Sequence, residues 1–67
     1  MKNYYEIIVV YGKEYGEVIS FETEAIMNDS NDIVSYAIRR GLIEKAYRKN
    51  VRYAMCISKY EYEYIKK

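Results

Sequence analysis

Tyr4-Tyr5-Glu6-Ile7-Ile8-Val9-Val10-Tyr11 is the stretch that decides the fold. Its centre, Ile7 to Val10, is apolar and β-branched at four consecutive positions. Successive side chains of a strand point to opposite faces, so this strand is apolar on both sides. A solvated edge has no use for such a strand, whereas the middle of a covered sheet requires it.

Outward from this strand, Gly12-Lys13-Glu14-Tyr15-Gly16 is a polar insert between two glycines, suited to a three- to five-residue hairpin loop in which glycine supplies positive φ. Glu17-Val18-Ile19-Ser20-Phe21-Glu22-Thr23-Glu24 then alternates, with Ile19, Phe21 and Thr23 on one side and Val18, Ser20 and Glu22 on the other. The two segments read as a β-hairpin.

Asn28-Asp29-Ser30-Asn31-Asp32 is a helix start, with Asp29 or Ser30 as N-cap and Asp32 at the positive end of the dipole. A calcium loop fails here, because Ile33 falls on a ligand position and no glycine follows. Ile33, Val34, Ala37, Ile38 and Leu42 recur at the spacing of an amphipathic helix. Gly41 is a natural C′ residue, predicting a stop there in a Schellman arrangement and a looser turn from Ile43 to Asn50. The competing reading is one helix continuing to Lys49, with Gly41 tolerated inside it at about 1 kcal/mol.

Val51 to Ile57 alternates again and reads as a third strand, with Val51, Tyr53, Met55 and Ile57 on one side. Beyond it, Ser58-Lys59-Tyr60-Glu61 has capping-box spacing, whereas Tyr60, Tyr62 and Tyr64 alternate with Glu61 and Glu63 as in a strand. The cap and the closing Lys66-Lys67 favour a short terminal helix. The whole is a single α+β domain of ββαβ order. A three-stranded antiparallel sheet in the order 2-1-3 has one helix on one face. Its second face is left to the tyrosines, the C-terminal segment or another molecule.

Sixty-seven residues lie near the lower limit for folding without metal or disulfide. One cysteine and no histidine provide neither an internal disulfide nor a usual zinc set, so no cofactor or metal is expected. Ten tyrosines and nine isoleucines supply the packing, each buried ring covering roughly 150–250 Å². No stretch approaches the ~20 apolar residues of a membrane span. The N-terminus lacks the long apolar run and cleavage site of a signal peptide. The expectation is a cytoplasmic protein without a membrane role, in which the Asn28-Asp29-Ser30 glycosylation triplet goes unused. Lys, Asn, Ile and Tyr, residues of AT-rich codons, make up 30 of the 67 positions.

Catalytic signals are lacking. Without histidine the usual nucleophile–base pairs cannot form. Cys56 falls inside a strand and is expected to be a buried, inert thiol. Glu22/Glu24 and Glu61/Glu63 have the spacing of an ordinary solvated strand face, and the glycines form no phosphate loop. A non-enzymatic protein is the expectation.

Charge is uneven along the chain. Residues 1–38 carry a net −5 and residues 39–67 a net +6, leaving +1 overall. Such a division marks either a polyanion-binding end or an acidic hairpin lying against a basic segment; the small net charge favours the second. Arg39, Arg40, Lys45, Arg48, Lys49 and Arg52, with Tyr47 and Tyr53 interleaved, are the candidate nucleic-acid contacts.

Tyrosine offers broad, fairly rigid contact area with a polar tip and is enriched at protein interfaces. The leading reading is therefore a protein-interaction module. Its candidate surface combines Glu14, Glu17, Glu22 and Glu24 with Tyr15 of the hairpin loop and Tyr60, Tyr62 and Tyr64 of the tail. An acidic, tyrosine-rich surface suits docking onto a basic protein, such as the channel of a host enzyme that handles nucleic acid. In that respect the chain is similar in type to small phage or mobile-element inhibitors, anti-CRISPR proteins among them, although no motif ties it to one family. A homodimer through the uncovered sheet face is a further expectation, and a small nucleic-acid binder is the alternative.

Overall fold

The computed structural model describes residues 1–66. The order is β1 (Asn3–Val10), β2 (Gly16–Thr23), α1 (Ser30–Arg39), a 3-10 helix (Lys45–Asn50), β3 (Val51–Ile57) and α2 (Lys59–Lys66). The sheet is antiparallel in the order β2-β1-β3, so the doubly apolar strand is central, as its composition demands.

Odd-numbered residues of β1 face α1. Tyr5, Ile7 and Val9 are fully buried there with Phe21, Ile33, Val34, Ala37, Ile43 and Ala54. The Tyr5 hydroxyl is satisfied inside this layer: it donates to the Ala25 carbonyl at 3.1 Å and accepts from the Met27 N–H at 2.9 Å. One buried ring thereby pins the whole connection between β2 and α1. Phe21 lies between Tyr5 and Tyr36, at centroid distances of 5.7 and 5.5 Å. Even-numbered Tyr4, Glu6, Ile8 and Val10 form the second face, where all four are half-buried.

The helix boundaries are local devices. Asp29 caps α1, its Oδ1 accepting from the Asn31 N–H at 3.0 Å. At the other end Gly41 takes φ +76°, Leu42 N–H donates to Ala37 O at 2.9 Å and Gly41 N–H to Ile38 O at 3.0 Å. This is the Schellman pair, and it rules out a helix continuing to Lys49. Ser58 and Glu61 form a reciprocal capping box: Ser58 Oγ accepts from Glu61 N–H at 3.0 Å, and Glu61 Oε1 from Ser58 N–H at 3.1 Å. The C-terminal segment is therefore a helix, and its alternating tyrosines do not make a strand.

Five expectations need correction. The left-handed residue at Gly41 reverses the chain, so Leu42 is 43% exposed while Ile43 enters the core at 4%. The segment from Lys45 to Asn50 is regular, and Asn50 Nδ2 ties it to the Val10 carbonyl at 2.9 Å. A bulge sets Val9 opposite Val51 and Ile8 opposite Tyr53, leaving Arg52 as the extra residue. Val51 therefore turns to the α1 layer, and only Tyr53, Met55 and Ile57 share the second face. Cys56 is exposed, because β3 is an edge strand and this residue falls outside the buried cluster. Finally, Gly12 and Gly16 do not use positive φ; the loop is closed by Tyr11 N–H donating to Tyr15 O at 2.9 Å.

Two substitutions test these boundaries. Gly41→Ala meets no steric obstacle but must hold a left-handed backbone; it should destabilise by about 1–2 kcal/mol, whereas Gly12→Ala, equally unobstructed, should be near neutral. Chemical denaturation of the two variants measures the contrast, and equal values would remove the Schellman account. Ser58→Ala should cost about 1 kcal/mol, lowering Tm by about 4–8 °C in a domain this small. Thermal unfolding followed by circular dichroism reads the shift.

Candidate functional site

The tyrosines divide between the two ends of the sheet. Tyr11, Tyr15, Glu17 and Tyr47 gather at the hairpin end, where Tyr11 lies 5.4 Å from Tyr15 and meets Tyr47 edge-on at 4.9 Å. The Tyr11 hydroxyl donates to Glu17 Oε1 at 2.9 Å. This hydrogen bond, with some burial and the adjoining carboxylate charge, raises the Tyr11 pKa above the ordinary tyrosine value. Glu14 is exposed in the same loop.

At the opposite end α2 packs across the second face of β1 and β2. Tyr62 is its anchor: 7% exposed, its ring is 4.9 Å from that of Tyr4. Sequence reasoning placed Tyr62 among the exposed interface tyrosines; the helical geometry turns it inward instead. Tyr60 and Tyr64, at 80% and 74%, project from the same helix into solvent. With Glu61, Ile65 and Glu6 they line an open cleft of about 370 Å³ between α2 and the sheet. The second face continues from Glu6 through Ile8, Val10, Val18, Met55 and Tyr53, since cross-strand partners share a face. The result is a shelf, with the sheet as its floor and α2 as its wall. Tyr53 donates to Glu6 Oε2 at 3.0 Å. Burial, then this hydrogen bond and the Glu6 charge, raise the Tyr53 pKa.

Glu22 and Glu24 lie at the end of β2, away from the hairpin loop, and border a cleft with Lys2, Thr23 and Arg40. The eight candidate residues therefore do not form one surface. An eight-residue strand, about 26 Å long, separates Glu14, Tyr15 and Glu17 from Tyr60, Tyr62 and Tyr64. Sequence reasoning missed Glu6, Met55 and Ile65 as companions of the exposed rings. The even-numbered position of Glu6 on a strand otherwise apolar on that side was the available signal.

The basic segment is dispersed too. Arg39 and Arg40 end α1, and Arg40 Nε donates to the Tyr36 hydroxyl at 3.0 Å. Arg48 donates to Ser35 Oγ at 3.1 Å and, with Arg52, lines a separate groove beside Ser30 and Asn31. Lys45 and Lys49 are exposed on the 3-10 helix. Neither interleaved tyrosine stands free, since Tyr47 packs on Tyr11 and Tyr53 bonds Glu6. The expected pairing of acidic hairpin with basic segment is reduced to Arg40 beside Glu22 and Glu24. Among the described residues the one ion pair is Lys2–Glu22 at 3.7 Å. No group of three metal-ligating side chains occurs among them, and no helix is long and apolar enough to cross a membrane.

Tyr36 is the counterpart of Tyr11. Its hydrogen bond with Thr23 at 2.8 Å, then that from Arg40, and the nearby guanidinium charges lower its pKa. A group with a lowered pKa ionises first as pH rises. Ultraviolet titration of the phenolates should therefore lose a component below the ordinary tyrosine range in Tyr36→Phe and one above it in Tyr11→Phe; the reverse order would overturn these assignments.

Compared with known proteins, the chain finds no significant match to any family model, curated protein or solved structure.

Proposed function

We propose that this protein is a non-enzymatic interaction module that covers a surface of a partner protein, and that its contact surface is the shelf between α2 and the second sheet face. One observation carries the reading: Tyr60, Tyr64, Val18, Met55 and Tyr53 are all exposed around that shelf. Large apolar and aromatic side chains gathered on one face of a small domain are the usual mark of a protein-binding site. The rings are also suitably held. A helix with a capping box and a buried anchor presents Tyr60 and Tyr64 with little backbone freedom left to lose on binding.

Action by occlusion, in the manner of small phage-type inhibitors such as anti-CRISPR proteins that block a host protein handling nucleic acid, belongs to the same proposal, as does a cytoplasmic setting. The nucleic-acid alternative draws less support, because Arg40 borders one cleft while Arg48 and Arg52 line another, and Tyr47 packs edge-on against Tyr11.

Affinity capture with the wild type, Tyr60→Ala/Tyr64→Ala and Tyr15→Ala checks the proposal. Alanine is a good helix former and both α2 rings are exposed, so the double variant should keep its circular dichroism spectrum. It should lose the partner that wild type and Tyr15→Ala retain. Recovery of the same partner by the double variant would sink the shelf as contact surface. Binding of labelled DNA or RNA that falls with salt and with Arg48→Ala/Arg52→Ala would establish the alternative instead.

A further inference from the structure

The cleft at the foot of α2 has a chemistry of its own. Glu6 stands on the floor and Glu61 on the wall, with Tyr60, Tyr64 and Ile65 around them. Each carboxylate is hydrogen-bonded through one oxygen, Glu6 Oε2 by the Tyr53 hydroxyl and Glu61 Oε1 by the Ser58 N–H. Among the described residues neither carboxylate is in an ion pair. A floor carboxylate beneath two exposed phenol rings and an aliphatic side chain complements one kind of visitor. That visitor has an apolar stem, a flat or compact cationic head and hydrogen-bond donors at its tip.

We infer that this cleft receives a lysine or arginine side chain presented by a basic segment of the partner protein. The head reaches Glu6, a charge-assisted hydrogen bond; the rings of Tyr60 and Tyr64 flank the cation; the methylene stem lies along Ile65. Arginine is the better fit, because its planar guanidinium can stack on a ring while donating to the carboxylate. The inference rests on the shelf being the contact surface and adds what that surface selects. A second copy of this chain, offering Lys or Arg of its own basic segment, is a distinct occupant and an outcome of the test.

A labelled hexa-arginine peptide, titrated by fluorescence anisotropy at low salt, is the probe, with hexa-glutamate as the control. Wild type should bind the first and not the second. Glu6→Gln keeps an acceptor for Tyr53 but removes the charge; it should weaken binding about five- to tenfold, as should Tyr60→Ala/Tyr64→Ala. Glu14→Gln/Glu17→Gln, at the hairpin end, should bind as wild type does. Equal affinity in wild type and Glu6→Gln, or a similar loss in the hairpin variant, would overturn the inference by showing that charge is read indifferently. Self-association in sedimentation that Glu6→Gln abolishes would make the occupant a second copy and overturn the choice of a foreign partner. If capture fails with Tyr60→Ala/Tyr64→Ala while the peptide never binds, the shelf stands as contact surface and the cationic visitor does not.

Discussion

One strand that is apolar on both sides sets the terms for everything else in this molecule. Ile7 and Val9 on one face and Ile8 and Val10 on the other cannot all be shielded by a single layer. A sixty-seven-residue chain has little material with which to build two. The first face receives a full helix, a tier of aromatic rings and the side chain of Ile43, and holds the buried core. The second receives eight residues of helix laid over one end, held by Tyr62 on Tyr4. The unequal division leaves Ile8 and Val10 half-buried beside exposed Val18, Tyr53 and Met55. The shelf thus arises from the way the core is closed, and the surface proposed for recognition is the part of the hydrophobic problem that the chain leaves unsolved.

Where a feature depended on neighbours in sequence, the residues announced it. The central position of β1 follows from four consecutive β-branched side chains. Asp29, Gly41 and the Ser58/Glu61 pair mark helix ends through bonds that span two to five residues. Features that depended on distant partners were not legible. The bulge at Arg52 exists because β3 must register against β1, and nothing in the alternation of Val51 to Ile57 reveals it. The exposure of Cys56 follows from its place on an edge strand outside the core. The apparent unity of the candidate surface failed for a similar reason. Glutamates and tyrosines alike in kind were grouped by chemistry, yet the sheet carries them to opposite ends. Tyr62 shows the limit most plainly: helical spacing sets it on the face opposite Tyr60 and Tyr64, but which face meets the sheet depends on how α2 docks.

Tyrosine does three different jobs here, set by what its hydroxyl meets. Tyr5 is interior and spends its hydroxyl on two backbone groups of one connection. Tyr11, Tyr36 and Tyr53 lie at boundaries: the Glu17 hydrogen bond raises the pKa of Tyr11 and burial, then Glu6, that of Tyr53, whereas the Thr23 hydrogen bond, then Arg40, lowers that of Tyr36. Tyr60 and Tyr64 extend into water. A composition rich in one amphipathic side chain can therefore supply core, boundary and exposed rings together, an economical arrangement in a chain with no tryptophan and one phenylalanine.

The irregularity at Arg52 also bears on solubility at high concentration. A three-stranded sheet has two unpaired rims, each able to template another chain through its free backbone groups. In β3 the extra residue interrupts the regular register; such a bulge bends its strand, and here it carries a permanent positive charge. A misregistered, charged rim is a poor seed for fibril growth. A strand whose alternation ran unbroken from Val51 to Ile57 would keep the charge of Arg52 but lose the irregularity.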